Sequence, residues 1–256
     1  MNSQIGHHWI LLRGLARESA HWGDFIPILK ATFPDANITT LDLPGTGCFY
    51  KEASPATIKV ITDKVRAQAL AQGCLQQPVT LLAVSLGAMV AWEWMRNYPD
   101  DICGASLINT SFADLSPFYH RLRWQSYRKF AALLSKQQGR NRENAILQLI
   151  SNRRDQDEQI SLAWEKIQHQ RPISLKNSFR QIIAAASYRP GNIKPKQPVL
   201  LINGNGDKLV APSCSDKIQK KWALKLLSHP WGGHDLTLDD PEWVALQLKD
   251  WVLESR

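Results

Sequence analysis

Residues 79–95 read VTLLAVSLGAMVAWEWM, and this stretch decides which fold the sequence predicts. The apolar run at 79–84 is typical of a strand buried on both faces, and the apolar residues after it recur at helical spacing. Ser85 lies between the two patterns, flanked by the small residues Ala83 and Gly87. Small flanks permit a tight strand-to-helix turn that exposes a serine hydroxyl. A serine here is also an ordinary helix N-cap, so the motif alone leaves a structural role open.

The same alternation of strand and helix patterns continues on both sides of this stretch. Short apolar runs predict strands at 9–13, 38–43, 79–84, 104–109, 199–204 and 223–228. Amphipathic patterns predict helices at 21–33, 57–71, 87–98, 214–222 and 241–254. Repeated strand–helix units imply right-handed crossovers, so we predict an α/β fold with a mostly parallel, doubly wound sheet.

The middle of the chain interrupts this rhythm with helical patterns alone. Helices are predicted at 118–137, 141–151, 156–169 and 174–186, and a Pro-rich basic segment at 188–198 follows them as a linker would. We therefore predict an α/β core formed by residues 1–113 and 191–256. An all-helical cap is expected as an insertion at 114–190.

The chain carries a net charge of +8, and all of the excess lies in the predicted cap. Residues 114–190 hold 14 Lys and Arg residues against 6 acidic ones, whereas the rest of the chain is balanced. One explanation is a solvated helical face, and the other is docking of an acidic partner or of anionic substrates by long-range attraction. Nucleic acid is not expected, because no recognised binding motif is present. The docking candidates are Arg121, Arg123, Arg128, Arg140, Arg142, Arg153 and Arg154.

Composition argues against several other classes of protein. A hydrophobic content of 44% in 256 residues is enough for a large buried core. No apolar stretch approaches the roughly 20 residues of a membrane span, and residues 1–15 do not resemble a secretion signal. We expect a cytoplasmic protein with free thiols and with neither metal nor cofactor. The cysteines are scattered without metal-ligand spacing, at Cys48, Cys74, Cys103 and Cys214.

Ser85 would become a nucleophile only with a base, and that base works best beside an orienting carboxylate. Asp207 follows one predicted strand, and His234 lies in a Gly-rich loop after the last one. All three fall at the carboxyl ends of predicted parallel strands, where open α/β sheets place their sites. His229 as the base and Asp114 as the acid are the alternatives.

A tetrahedral oxygen at such a site needs two backbone donors. The amide of Leu86, directly after the serine, is one candidate. The other is expected in the loop after the first strand, where Leu15 follows Gly14. Asp235 is predicted to point away from its neighbour His234, as a surface or capping residue.

Five short motifs together resemble the α/β-hydrolase superfamily. They are RGL at 13–15, LDLPGTG at 41–47, AVSLG at 83–87, NGNGDKLVAP at 203–212 and GGHD at 232–235. The chain order of serine, acid and histidine is also that of the superfamily. In length and layout the chain is similar to small bacterial carboxylesterases, among them the pimeloyl-acyl-carrier-protein methyl ester esterases. One departure is Arg13, because this position is commonly histidine in the superfamily.

The resemblance implies the α/β-hydrolase fold and a serine hydrolase that cleaves small-molecule carboxylic esters through an acyl-enzyme. It implies Ser85 as nucleophile, His234 as base and Asp207 as orienting acid, with oxyanion amides from Leu15 and Leu86. No cofactor is implied, and acyl carrier protein is a candidate partner for the basic cap. The same residues would serve a thioesterase or a carbon–carbon hydrolase. A non-catalytic binding protein on this scaffold is the further alternative.

Overall fold

Six parallel strands form a single sheet in the computed structural model, which describes residues 5–135 and 139–255. The strands are β1 (His8–Leu12), β2 (Asn37–Leu41), β3 (Val79–Val84), β4 (Ile102–Ile108), β5 (Val199–Gly204) and β6 (Lys225–His229). Their order across the sheet is β2-β1-β3-β4-β5-β6, and every neighbouring pair is parallel. The predicted α/β-hydrolase fold with its doubly wound sheet is confirmed.

Alternate residues of the central strands enter two separate hydrophobic clusters. In β3, Leu81 and Ala83 belong to one cluster, whereas Leu82 and Val84 belong to the other. Successive side chains of a strand point to opposite faces, so a strand covered on both faces must be apolar at every position. This two-sided burial explains why β3 is apolar at every position except Thr80, which is buried and accepts a hydrogen bond from the amide of Gly6.

Helices cover both faces of the sheet. Those of the core are α1 (Phe25–Thr32), α2 (Ile58–Ala71), α3 (Leu86–Asn97), α9 (Ser213–Trp222), α10 (Leu236–Asp239) and α11 (Pro241–Glu254). Side chains of α2, α3 and α9 enter one cluster, and those of α1 and α11 enter the other. Short 3-10 helices lie at Ser19–Trp22, Gly47–Phe49, Pro99–Asp101 and Trp124–Ser126.

Two predicted helices are divided in the structure. The one at 21–33 consists of a 3-10 helix and α1, separated at Gly23, whose φ of 46° lies in the left-handed region. Apolar spacing does not reveal such a change of backbone direction. The one at 118–137 is divided into two short helices around a 3-10 turn, and its last two residues lie outside the described residues.

Within the described residues, five further helices lie between β4 and β5, where the all-helical insertion is predicted. They are α4 (Phe118–Arg121), α5 (Tyr127–Ser135), α6 (Arg140–Ile150), α7 (Asp157–Gln170) and α8 (Leu175–Ser187). Leu147 and Trp164 belong to a small hydrophobic cluster of this region. Asn152 Nδ2 also donates to the carbonyls of Gly206 at 3.0 Å and Trp231 at 2.8 Å. The helical region is thereby fastened to the loops that follow β5 and β6.

Other features of the described residues concern membranes, thiols and metals. None of the helices in that part of the chain is both long and apolar enough to cross a bilayer. The cysteines are free, at Cys48, Cys74, Cys103 and Cys214. Across 5–135 and 139–255, no cluster of three or more His, Cys, Asp or Glu residues is arranged to hold a metal ion.

Candidate active site

Ser85 occupies the turn between β3 and α3 in a conformation that few non-glycine residues adopt. Its φ and ψ angles are 55° and −114°, outside the regions that side chains normally favour. Its amide donates to the carbonyl of Ile108 at 2.8 Å, and its carbonyl accepts from the hydroxyl of Thr110 at 3.1 Å. Within the described residues its hydroxyl makes no capping hydrogen bond to α3. The helix-capping role that the motif left open therefore does not account for the serine.

Two glycines allow the loop after β1 to approach this turn. A Cβ atom at Gly87 would lie 2.6 Å from the carbonyl oxygens of Leu12 and Arg13. A Cβ atom at Gly14 would lie 3.2 Å from Cβ of Ser85. A larger residue at Gly87 would displace the end of β1, so the small flank of the motif is a packing requirement.

Asp207 and His234 form a buried hydrogen-bonded pair in the loops after β5 and β6. Asp207 Oδ2 lies 2.7 Å from His234 Nδ1, and the two residues are 1% and 6% exposed. Asp207 Oδ1 accepts from the amides of Leu209 at 2.7 Å and Val210 at 2.9 Å. A carboxylate held in this way keeps a proton on Nδ1 of the imidazole, which leaves Nε2 as a proton acceptor.

The surroundings of His234 favour its protonated form. Burial lowers the pKa of the imidazole, but the charge and hydrogen bond of Asp207 raise it, and Asp235 raises it further. Arg13 opposes this change, and the pKa of His234 is raised overall above 6.5. A higher pKa makes the imidazole a stronger acceptor for a serine proton.

Asn109 was not among the predicted site residues, yet it fixes the loop that carries His234. Its Nδ2 donates to the carbonyls of Gly233 at 3.0 Å and His234 at 2.8 Å. Its Oδ1 accepts from the amide of Gly204 at 3.0 Å. Its place directly after β4 was the available signal, because the carboxyl ends of parallel strands are where open sheets build sites.

The alternatives that the sequence left open have other partners. His229 Nδ1 accepts from the amide of Gly232 at 2.8 Å, and its Nε2 lies 3.1 Å from Asp240 Oδ2. Both ring nitrogens are thus occupied, which leaves neither for a serine. Asp114 Oδ2 lies 3.7 Å from Lys221 Nζ, so its nearest charged partner is a lysine.

Asp235 occupies the N-cap position of α10, as one of the two expectations had it, but the expected surface location was wrong. It is 2% exposed and forms an ion pair with Arg13, itself 3% exposed. Arg13 also donates to the hydroxyl of Thr237 at 3.3 Å, and its guanidinium lies 4.7 Å from the ring centroid of Trp22. Burial raises the pKa of Asp235, but the charge and hydrogen bonds of Arg13 lower it overall. The arginine that replaces the usual histidine therefore joins the loops after β1 and β6.

The two leucines predicted to supply oxyanion amides lie beside the serine. Leu86 is the first residue of α3, and both Leu15 and Leu86 line the same cavity as Ser85. The amide of Ala16 donates to Oε1 of Gln181 at 2.9 Å, so α8 holds the loop after β1. The assignment of the two oxyanion amides stays a prediction.

A cavity of about 220 Å³ opens onto both Ser85 and His234. Residues of the core and of the helical region line it together, and its wall is mainly apolar. Apolar side chains include those of Met89 and Leu149. The positively charged residues that line the cavity are Arg13, Arg17, Arg121 and Arg142.

The seven arginines proposed for docking separate into two groups. Arg142 is 7% exposed. Arg121 donates to the carbonyls of Ala185 and Ala186, and Arg123 donates to the carbonyl of Asp207 at 2.6 Å. These three stabilise the cavity wall and the Asp207 loop instead of facing a partner. The remaining four are more exposed, and they are Arg128, Arg140, Arg153 and Arg154.

Comparison with known families agrees with this geometry. The model of the Alpha/beta hydrolase family matches residues 9–247. The chain belongs to the alpha/beta hydrolase family. Among curated proteins, nothing matches the sequence.

Solved structures of other alpha/beta hydrolases have the same fold at low sequence identity. The esterase RhEst1 from Rhodococcus sp. ECU1013 aligns with a TM-score of 0.78 and 16% identity over 98% of this chain and 92% of its own. A thermophilic esterase from Thermogutta terrifontis aligns with a TM-score of 0.70 and 17% identity over 97% of this chain and 90% of its own. A protein assigned as a non-heme bromoperoxidase from Mycobacterium tuberculosis H37Rv aligns with a TM-score of 0.74 and 20% identity over 97% of this chain and 92% of its own. At these identities the likeness concerns the fold alone.

Proposed function

We propose that this alpha/beta hydrolase cleaves carboxylic esters of small molecules through an acyl-enzyme. Ser85 is the nucleophile, His234 the general base and Asp207 the acid that orients it. The observation that carries the proposal is the convergence of the strained serine turn and the Asp207–His234 pair on one mainly apolar cavity. A hydroxyl and an oriented imidazole at a common cavity are what acyl transfer to serine requires.

The reaction follows in two halves. Nε2 of His234 takes the proton of Ser85 as the serine oxygen attacks the ester carbonyl, and the oxyanion is stabilised by the amides of Leu15 and Leu86. Collapse of this intermediate breaks the ester bond, and the imidazolium returns its proton to the leaving alcohol. Water then attacks the acyl-serine with His234 as base again, which releases the carboxylic acid and restores the serine hydroxyl.

The primary test is hydrolysis of short-chain 4-nitrophenyl esters together with labelling by a fluorophosphonate. Turnover and covalent labelling of Ser85 are expected. A panel that includes matched thioesters and carbon–carbon substrates distinguishes the related reactions of the same residues. A protein that neither turns over these esters nor reacts with the fluorophosphonate would instead be a binding protein on this scaffold.

The rate of ester hydrolysis is expected to rise with pH through the pKa of His234, because only the neutral imidazole accepts the serine proton. Asp207 favours the protonated form, so the acid limb of kcat/KM should have its midpoint above pH 6.5. Asp207→Asn removes the charge that raises this pKa, and it should move the midpoint to lower pH while lowering kcat by about 10⁴-fold. An unmoved midpoint in this variant would contradict the assignment of Asp207.

The finer substrate proposal is an ester carried by acyl carrier protein, with the exposed arginines Arg128, Arg140, Arg153 and Arg154 as the docking surface. It is supported by the net positive charge of residues 114–190 and by the resemblance in sequence layout. Arg140, Arg153 and Arg154 each form an ion pair with a neighbouring acidic side chain, which a docked partner would have to replace. Docking between opposite charges weakens with salt. We expect added salt to lower kcat/KM for the carrier-protein ester more than for the free methyl ester, and equal salt dependence would count against docking.

A further inference from the structure

Besides Arg13, which pairs with Asp235, two buried arginines line the cavity that contains Ser85 and His234. Arg17, in the loop after β1, is 5% exposed, and Arg142, in the first turn of α6, is 7% exposed. Charged side chains are almost never this buried unless they are paired. Their partners therefore decide what the two arginines do.

Arg17 has a carboxylate partner. Its Nη1 lies 2.8 Å from Glu143 Oε2 and 2.9 Å from His21 Nε2. Its guanidinium lies 4.3 Å from the ring centroid of Trp164. Burial lowers the pKa of His21 well below 6.5, and the charge of Arg17 lowers it further, so this imidazole is neutral. The charge of Arg17 is thus balanced by Glu143 alone.

Arg142 has no ion pair of its own within the described part of the chain. Its Nε has no hydrogen-bond partner there, and the same is true of Nη2 of Arg17. Burial lowers the pKa of Arg142, and although Glu143 raises it, the charge of Arg17 lowers it again. The first turn of a helix is also where the helix dipole disfavours a cation. Arg17 and Arg142 share the carboxylate of Glu143, so these three residues together carry one unbalanced positive charge.

We propose that this arginine cluster, formed by Arg17, Arg142 and Glu143, binds a carboxylate of the substrate. The inference rests on the proposed ester hydrolysis and is an alternative to the carrier-protein substrate, because it makes the substrate a monoester of a dicarboxylic acid whose second carboxyl group is free. A carboxylate brings the single negative charge that the cluster lacks and accepts hydrogen bonds from planar guanidinium donors. The mainly apolar wall of the cavity suits the hydrocarbon chain that joins the ester to that carboxylate.

The test compares mono-4-nitrophenyl esters of linear dicarboxylic acids of increasing length with the matching primary amides, which have nearly the same shape without the charge. We expect wild-type kcat/KM for the best carboxylate ester to exceed that of its amide by about 10- to 100-fold, the size of a charge-assisted hydrogen bond. Equal kcat/KM for the carboxylate ester and its amide would contradict carboxylate binding by the arginine cluster, without contradicting the proposed ester hydrolysis. Hydrolysis of neither would count against the proposed function itself.

Arg142→Gln removes the unbalanced charge and keeps a polar side chain. It should lower kcat/KM for the carboxylate ester by about 10- to 100-fold and change that for the amide far less, whereas Arg142→Lys should restore part of the preference. An unchanged preference in Arg142→Gln would overturn the proposal. Lys176→Gln removes an exposed charge from α8 and should keep the preference. If Lys176→Gln reduced the preference for the carboxylate ester as much as Arg142→Gln does, the preference would come from long-range attraction, and the proposal would be contradicted.

Calorimetric titration gives a readout that does not depend on turnover. We expect adipate to bind folded Ser85→Ala protein and to bind the Ser85→Ala/Arg142→Gln double variant at least about 10-fold more weakly. If the double variant does not fold, Arg142→Lys on the same background replaces it, with a smaller loss expected. Equal adipate affinity in the two proteins, or tighter binding of inorganic phosphate than of adipate, would contradict a carboxylate site.

Discussion

Ser85→Ala is expected to lower kcat for ester hydrolysis by about 10⁶-fold. The nucleophile acts as a unit with His234 and Asp207, and neither of these can form the acyl-enzyme in its place. Labelling by a fluorophosphonate should disappear with it. The fold should persist, because alanine is smaller than serine and the hydroxyl makes no capping hydrogen bond within the described residues. The measurement is steady-state hydrolysis of a 4-nitrophenyl ester, with circular dichroism to confirm the fold.

Ser106→Ala is the matched control for this loss. Ser106 is fully buried in β4, and its hydroxyl has no hydrogen-bond partner within the described residues. Removal of that hydroxyl should leave the rate and the labelling close to those of wild type. If Ser85→Ala retained labelling, another residue would be the nucleophile and the proposed function would fail.

Arg13→Met is expected to destabilise the protein by about 3–5 kcal/mol, because it leaves Asp235 as an uncompensated buried charge. Asp235 and Thr237 lie on the loop and helix directly after His234, so the rate of ester hydrolysis should fall as well. The free energy of unfolding from urea titration measures the loss. Stability equal to wild type in Arg13→Met would contradict a structural role for the ion pair.

The double variant Arg13→Met/Asp235→Leu separates a lost ion pair from lost packing. Replacing both partners by apolar residues removes the buried charge, so this variant should recover most of the stability.

The stability that the Arg13–Asp235 pair contributes should depend on pH with a defined sign. Arg13 lowers the pKa of Asp235 in the folded state, so the stability that the pair contributes is present at neutral pH and lost as the pH falls. The difference in the free energy of unfolding between wild type and Arg13→Met should therefore become smaller at acid pH.

The sheet and the serine turn could be predicted because their signals are local. Burial on both faces makes β3 apolar at every position except Thr80, and the close approach of the loop after β1 demands glycine at position 87. Asp207 and His234 could be found because each follows a strand whose pattern is equally clear. These inferences need only the rule that parallel strands share one carboxyl edge.

Contacts between distant loops could not be predicted in this way. Arg13 and Asp235 are 222 positions apart, and nothing in either neighbourhood indicates that the two loops meet. The same holds for Arg17 and Glu143, which are 126 positions apart, so the charge of the middle segment was interpreted as an outer surface. Which arginines turn inward depends on how the helices between β4 and β5 pack, and periodicity does not specify that packing.

The hydrogen bonds of Asn109 to the segments around Gly204 and His234 have a consequence for the newly made chain. The serine leaves the ribosome long before the residues that would activate it, and strands so distant in sequence pair late. An incomplete polypeptide therefore holds an inert alcohol. On the proposed mechanism, hydrolytic activity requires β6 and the loop that follows it, which carries His234.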